Sequence, residues 1–330
     1  MKSYKIIIFL LIINLIIGCT GKQKISIEEP QSKMAVLEED AETVTFREAG
    51  GKVVKLKKNP KKTIVTLNSI LDVWYMAGGT SLARIKGSVN VPEEAKDLPQ
   101  LGSISSLNTE LMMELDPDFL IISYSETQNK IRDFFAAEGV PGVAIKYNTY
   151  EDFLVILDLF TRLNSTKEIY QKTLVSIQYQ VQSVIDQAPS YQRPSVCILF
   201  ATTRYVKVET QNTITGYYCE KLGADNIYKE TKLEVATRVN LSLEYILEKD
   251  PDVIFVTTMG NVEKCRARMD KDITASDIWR DLKAVKNKRF HYLDKSFSIY
   301  KPNRSYPEAF KTMAEHLYPQ KKFKFKEQKG

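Results

Sequence analysis

Glu110 and Glu244 occupy the same place in two related stretches of this chain. Leu107-Asn-Thr-Glu110-Leu-Met-Met-Glu114-Leu-Asp116-Pro117-Asp118 and the Phe-Leu-Ile-Ile after it align without gaps, at a constant offset of 134, with Leu241-Ser-Leu-Glu244-Tyr-Ile-Leu-Glu248-Lys-Asp250-Pro251-Asp252 and Val-Ile-Phe-Val; six of sixteen positions are identical. A Glu in the first turn of a helix is favoured by the helix dipole, worth about 0.3–1 kcal/mol, which accounts for either residue alone. The dipole explains less well why the same site recurs in both halves.

A second set of capable residues follows the apolar runs: Asn68 and Ser69, Tyr124 and Ser125, Arg204 and Tyr205, Tyr217 and Tyr218, Thr258 and Met259, Lys301 and Arg304. Backbone N–H groups at a helix start, as at Asn68 and Ser69, can meet an anion, and Arg or Lys pairs with carboxylate-like groups. Each also has a plain role: Tyr217 as a packed helix-start residue, Met259 as core filler, Lys301 as solvated surface. With only two histidines, His291 and His316, there is no His-rich metal cage or His-dependent catalytic cluster. The chain has no G-x-S-x-G elbow, Walker A pattern, H-E-x-x-H pair or Gly-rich dinucleotide loop. The residues suit binding without chemistry; no enzyme and no cofactor are expected.

The elements that must position them alternate. Strand candidates are Thr63–Leu67, Ile85–Val89, Phe119–Ser123, Val143–Tyr147, Val196–Phe200, Val253–Thr257 and Arg289–Leu293, separated by helical patterns. Such alternation predicts parallel sheets with covered faces. Gly50-Gly51, between two alternating runs, predicts a hairpin ahead of the first strand. Thr166–Ala188 places Ile169, Leu174, Ile177, Val181, Val184 and Ile185 on one face, with Ser165 and Glu168 as a capping box and Pro189 as the stop. At 1.5 Å per residue this predicts a helix about 34 Å long. Because the helix divides the repeat, the expected fold is α/β, two Rossmann-like lobes with parallel sheets joined by one long rigid helix. Ligands of such bodies sit at the carboxyl ends of the strands.

The 330 residues are 43% hydrophobic and 27% charged, an ordinary globular composition for one or two domains. Residues 1–18 carry Lys2 and Lys5 and then an apolar run from Ile6 to Ile17 broken only by Asn14, of signal-peptide length and too short to span a bilayer. It closes in Ile16-Ile17-Gly18-Cys19, which resembles the bacterial lipobox, so Cys19 is the expected site of lipidation and the anchor to the extracytoplasmic face of the cell membrane. Residues 19–43 read as a flexible tether, 44–164 as the first lobe, 165–189 as the connecting helix, 190–320 as the second lobe and 321–330 as a frayed basic tail. Without the leader and that tail the formal charge of +6 disappears, so nucleic acid is not an expected partner. Of the remaining cysteines, Cys197 lies in a strand-like run and is expected to pack; Cys219 and Cys265 could pair outside the cytoplasm.

The ordered set GGKVVKLKKNPKKTIVTLN, the two E-x-x-x-E-x-D-P-D segments, TYEDF at Thr149–Phe153, KLGADNIY at Lys221–Tyr228 and IWRDLKAVKNKRFHYL at Ile278–Leu293 resembles the substrate-binding proteins of ABC importers for iron-siderophores, haem and cobalamin. The resemblance runs from about Val44 to Pro319. It implies that Glu110 and Glu244 dock against arginines of the membrane permease and that the crevice delivers a small metal chelate. Ferric siderophores would engage Arg204, Lys301 or Arg304; haem would take Tyr124 or another Tyr as axial ligand; cobalamin would favour aromatic walls. An iron chelate is the leading expectation. An extracytoplasmic enzyme acting on a chelate, or a lipoprotein that binds a host macromolecule, is the rival class.

Overall fold

Val44, Phe46 and Leu56 turn inward on two strands, Thr43–Arg47 and Val53–Lys57, joined by a turn in which Gly51 adopts φ 81°. The computed structural model describes residues 34–229 and 236–326; the leader, Cys19, the start of the tether and the last four residues lie outside them. The predicted hairpin is present, but it gains a third strand. Ala35–Glu39 pairs antiparallel with Thr43–Arg47, and Met34 is buried. The tether therefore does not extend to residue 43: Ala35–Glu39 is held by ladder bonds. The hairpin is tied to the first lobe by buried Glu48, which accepts from Arg132 Nη1 at 2.6 Å and from Ala144 N at 2.7 Å.

The first lobe holds a parallel sheet in the order Thr63–Val65, Phe119–Ser123, Gly142–Ile145. Ile85–Val89 is not a strand; only Arg84 makes an isolated bridge, to Gln100. The second lobe is built on Ser195–Thr202, Val253–Met259 and Phe290–Tyr292, all parallel, with Val206–Glu209 and Arg238–Val239 added antiparallel at one edge. The sequence repeat is a structural repeat. Asn108 caps Thr109–Glu114 and Ser242 caps Leu243–Lys249; Asp116 and Asp250 both take left-handed φ, 48° and 38°. Asp118 then accepts from Lys61 N and Lys62 N, as Asp252 accepts from Ser195 N, fastening the next strand to its neighbour in each lobe.

The connecting helix forms over Lys167–Ile185, interrupted by a wide π-type turn at Tyr170–Leu174. Its start is not the predicted capping box: Ser165 sits at φ 57° in the turn before it, and Thr166 Oγ1 donates to Ala77 O at 2.8 Å instead. The final helix Tyr306–Leu317 packs along Val175–Ile185. Between the lobes the core is aromatic. Tyr150 lies 4.9 Å from Tyr306, Phe153 5.1 Å from Tyr306 and Tyr218 4.9 Å from Phe310 between ring centroids. Aromatic pairs of this kind add about 0.5–1.5 kcal/mol each beyond the area they bury, and Tyr306 carries two of them onto the first lobe. Cys197, Cys219 and Cys265 are free and buried, with Cys219 and Cys265 in separate cores; the packing role of Cys197 holds and the disulfide does not form. The tail is not frayed as far as Lys326: Phe323 is buried beside Tyr318, and Lys324 O accepts from Gln187 Nε2 at 2.7 Å.

Candidate functional site

Thr63–Val65 delivers the chain into the helix Asn68–Met76, so Asn68 and Ser69 stand at the carboxyl end of the first sheet. They face Ile85–Asn90 of the same lobe and Ile299–Lys301 of the other across a pocket of about 390 Å³. The stretch expected to be a strand is instead one wall of this crevice. Asn68 is 6% exposed, and its Oδ1 is buried with no partner among the described residues. A buried acceptor left open costs about 1–3 kcal/mol, which a donor on a ligand would recover.

Lys301 closes the pocket from the second lobe. Its Nζ donates to Asn148 O at 3.1 Å and stands 5.2 Å from the centre of the Tyr147 ring, while its carbonyl accepts from Asn90 Nδ2 at 2.8 Å. Burial pulls its pKa down to about 8, partly opposed by Asp152 and Glu209, which favour the ammonium, and reinforced by Arg238. Lys301 is thus a partly desolvated cation, held by Asn148 O and the Tyr147 ring.

At the carboxyl end of the second sheet, Arg204 and Tyr205 form the exposed tip of the hairpin between Ser195–Thr202 and Val206–Glu209; their N–H groups donate to Thr202 Oγ1 at 3.1 and 3.0 Å. Met259 pairs with Thr202 across the sheet and is 49% exposed, so three predicted residues share one edge. Thr258 beside it is buried. Tyr124 follows Phe119–Ser123 with its ring against Gly50, where an added Cβ would come within 3.0 Å of it. Ser125 is already engaged: its Oγ caps the next helix, accepting from Gln128 N at 3.3 Å. Arg304 is exposed.

Tyr217 and Tyr218 do not join this group. The Tyr217 hydroxyl donates to Glu151, its ring meets Phe310 edge-on at 6.2 Å, and burial followed by the Glu151 carboxylate raises its pKa far above that of a free phenol. Tyr218 is buried in the interlobe core and donates to Phe297 O at 3.3 Å. Both are placed by packing in the aromatic core.

Two residues escaped the sequence reading. Asn303, fully buried, donates to Ser69 O at 3.0 Å and Asp72 Oδ2 at 2.6 Å and accepts from the Tyr147 hydroxyl. Arg238 stacks on Phe200, 3.7 Å from the ring centre, and donates to buried Glu209 Oε1 at 3.1 and 2.7 Å; burial raises the Glu209 pKa and Arg238 opposes that rise. The φ of 48° at Asn303 has no signature in a loop sequence, and Arg238 is identified only by the strand pairing that sets it opposite Glu209.

Glu110 and Glu244 are exposed on the outer helices of the two lobes. The carboxyl of Glu244 is held below the usual range by its own backbone N–H and by Ser242 Oγ at 3.0 Å. A larger concavity, about 1210 Å³, lies against His291, His316 and Arg289. Its lining includes the strand starts Asp252 and Arg289, so it opens at the amino ends of the second sheet, away from where α/β sheets receive ligands. Among the described residues no group of three or more His, Cys, Asp or Glu could hold a metal ion, and no helix is long and apolar enough to cross a membrane.

This architecture recurs in solved structures. An ABC transporter substrate-binding protein from Listeria monocytogenes superposes with a TM-score of 0.66 at 21% identity, covering 79% of this chain and 100% of that one. The heme complex of IsdE from Staphylococcus aureus gives a TM-score of 0.62 at 19% identity over 77% and 98% of the two chains. In sequence, the heme uptake protein IsdE of Staphylococcus aureus strain Newman is 23% identical over 208 residues, 62% of this chain and 69% of that protein. These relatives are transport proteins, not enzymes. Residues 64–297, from the first parallel strand to the short helix after the last one, match the periplasmic binding protein family, and the chain belongs to that family.

Proposed function

We propose that this protein captures an iron-containing chelate, a ferric siderophore in the first instance, in the crevice between its lobes and delivers it to the permease of an ABC importer, docking through Glu110 and Glu244. Membership of the family brings the coarser role with it: a substrate-binding partner of an ABC transporter with a small-molecule ligand. The observation that carries the finer reading is the interlobe pocket lined by Asn68, Ser69 and Lys301, with the open acceptor of Asn68 and a partly desolvated Lys301 ammonium held beside Asn148 and Tyr147. A partly desolvated cation gains more from an anionic ligand than a hydrated one. Arg204 at the second-lobe edge and Arg304 add local positive charge to a body that is neutral overall. Anchoring through acylated Cys19 at the extracytoplasmic face of the membrane is supported by Ile16-Ile17-Gly18-Cys19, which lies outside the described residues.

Haem is the second reading, favoured by the half-exposed Tyr124, Tyr205 and Met259 at strand ends, whose phenol or thioether groups can serve as axial ligands, and by the haem proteins among the relatives. Titration of the mature protein with ferric siderophores, haem and cobalamin, followed by fluorescence quenching, separates them. Siderophore binding weakened by about 1.5–3 kcal/mol in Arg204→Ala or Arg304→Ala is the expected result. A haem absorption spectrum lost in Tyr124→Phe would replace the siderophore while keeping the transport role. Failure of the whole panel to bind would reject the ligand class.

A further inference from the structure

The two docking helices share more than their glutamates. Along the first, Glu110 is exposed, Leu111 half-buried, Met112 buried, and Met113 and Glu114 exposed; along the second, Glu244, Tyr245, Ile246, Leu247 and Glu248 repeat that order position for position. Met112 and Ile246 already fill their respective cores. Met113 and Leu247 are nonetheless 42% and 39% exposed, and each comes three residues after its Glu, hence beside it on one helix face. A single exposed hydrophobe is ordinary. An exposed hydrophobe beside the same carboxylate in both copies of a repeat that keeps six of sixteen residues calls for a common occupant.

We propose that Met113 and Leu247 are the apolar half of a two-point docking surface, each seating in an apolar hollow next to a cation on the permease, with two such hollows related by a two-fold axis. This rests on the docking role proposed for Glu110 and Glu244 and adds the residues that hold the complex once formed. The division of labour is physical. The carboxylates act at long range, steer the encounter and are screened by salt. The apolar side chains act only on contact, when they lose water, and so govern dissociation. Charge complementarity selects the occupant. Glu110, Glu114, Glu244 and Glu248 flank the two apolar groups, four carboxylates against Lys249, which pairs with Glu248 at 3.2 Å. An anionic lipid surface would be repelled, as would the same face of a second copy; a membrane protein with paired cations would not.

The test uses the full lipidated chain and its importer permease reconstituted in nanodiscs, with association and dissociation measured separately. Met113→Ser and Leu247→Ser are expected to raise the dissociation rate about tenfold each, leaving association, its salt dependence and the melting temperature unchanged. Glu110→Gln and Glu244→Gln are expected to slow association and flatten its salt dependence. If the Gln variants behave so and the Ser variants dissociate like the wild type, the apolar seats are wrong and the docking role stands. If neither pair alters binding, the docking role fails and the inference with it. A photo-crosslinker at position 113 or 247 in intact cells should label the same permease segment from both sites; labelling of lipid or of a second copy overturns the proposal.

Discussion

The Tyr147 hydroxyl of the first lobe donates to Asn303 Oδ1 of the second at 2.6 Å, across 156 residues of chain. The Asn303 amide returns two hydrogen bonds to the first lobe, at Ser69 O and Asp72. One buried side chain therefore fixes the helix start that forms the crevice floor to the segment that carries Lys301.

Asn303→Ala should lower stability by about 2–4 kcal/mol, since it removes three hydrogen bonds, to the Tyr147 hydroxyl, Ser69 O and the Asp72 carboxylate, at a largely buried site. Denaturant unfolding measures this. Asn303→Gly tolerates the left-handed φ but makes none of the bonds, so a loss of similar size in Gly and Ala assigns the effect to hydrogen bonding rather than backbone strain.

Binding of an anionic ligand should weaken as pH rises through about 8, where Lys301 loses its proton in the free protein; calorimetric titration between pH 6 and 9 reads this, with proton uptake on binding near pH 8. Lys301→Gln should bind more weakly with a flatter profile. For the free protein the sign runs the other way. The folded pKa lies below that of an unfolded Lys, so the unfolded state holds more protons between about 8 and 10.5 and this group favours folding increasingly as pH rises through that window.

His291 and His316 stack with ring centroids 4.5 Å apart. Burial, then the neighbouring His316 and Arg289, brings the His291 pKa down from 6.5 to about 4. The unfolded state binds more protons in that interval, so stability is complete above pH 6.5 and falls as the pH drops towards 4. His291→Gln should flatten the decline by on the order of 1 kcal/mol, both rings being partly reached by solvent. Thermal melts at pH 4.5 and 7 compare the two.

Glu110→Arg or Glu244→Arg should impair uptake while ligand affinity stays near that of the wild type, because like charges would face each other across the permease interface. An equal loss of affinity would place these residues in the pocket or the fold.

Fatty-acid labelling should mark the wild type and not Cys19→Ser, whose precursor lacks the thiol that is acylated. Equal labelling of the two would remove the lipid anchor.

The sequence alone determined whatever depends on neighbours along the chain. The repeat at Leu107–Asp118 and Leu241–Asp252 could be read because it is a pattern of neighbours, and the caps Asn108 and Ser242 act within three residues of their partners. The parallel strands followed from composition and spacing, and the proposal of Asn68, Ser69 and Lys301 as crevice residues from their places after strands and helices. Tertiary structure decided what depends on a partner far away. Ile85–Val89 has the composition of a strand, but no ladder neighbour accepts it, and its backbone became a pocket wall. Tyr217 has the same residue type as Tyr124, yet it packs on Phe310 because its helix meets the final helix there. Asn303 and Arg238 are common residues whose roles exist only where Tyr147 and Glu209 arrive. A side chain's local tendencies are set by its covalent neighbours, whereas its burial, charge state and hydrogen bonds are set by groups brought near only when the whole chain has closed.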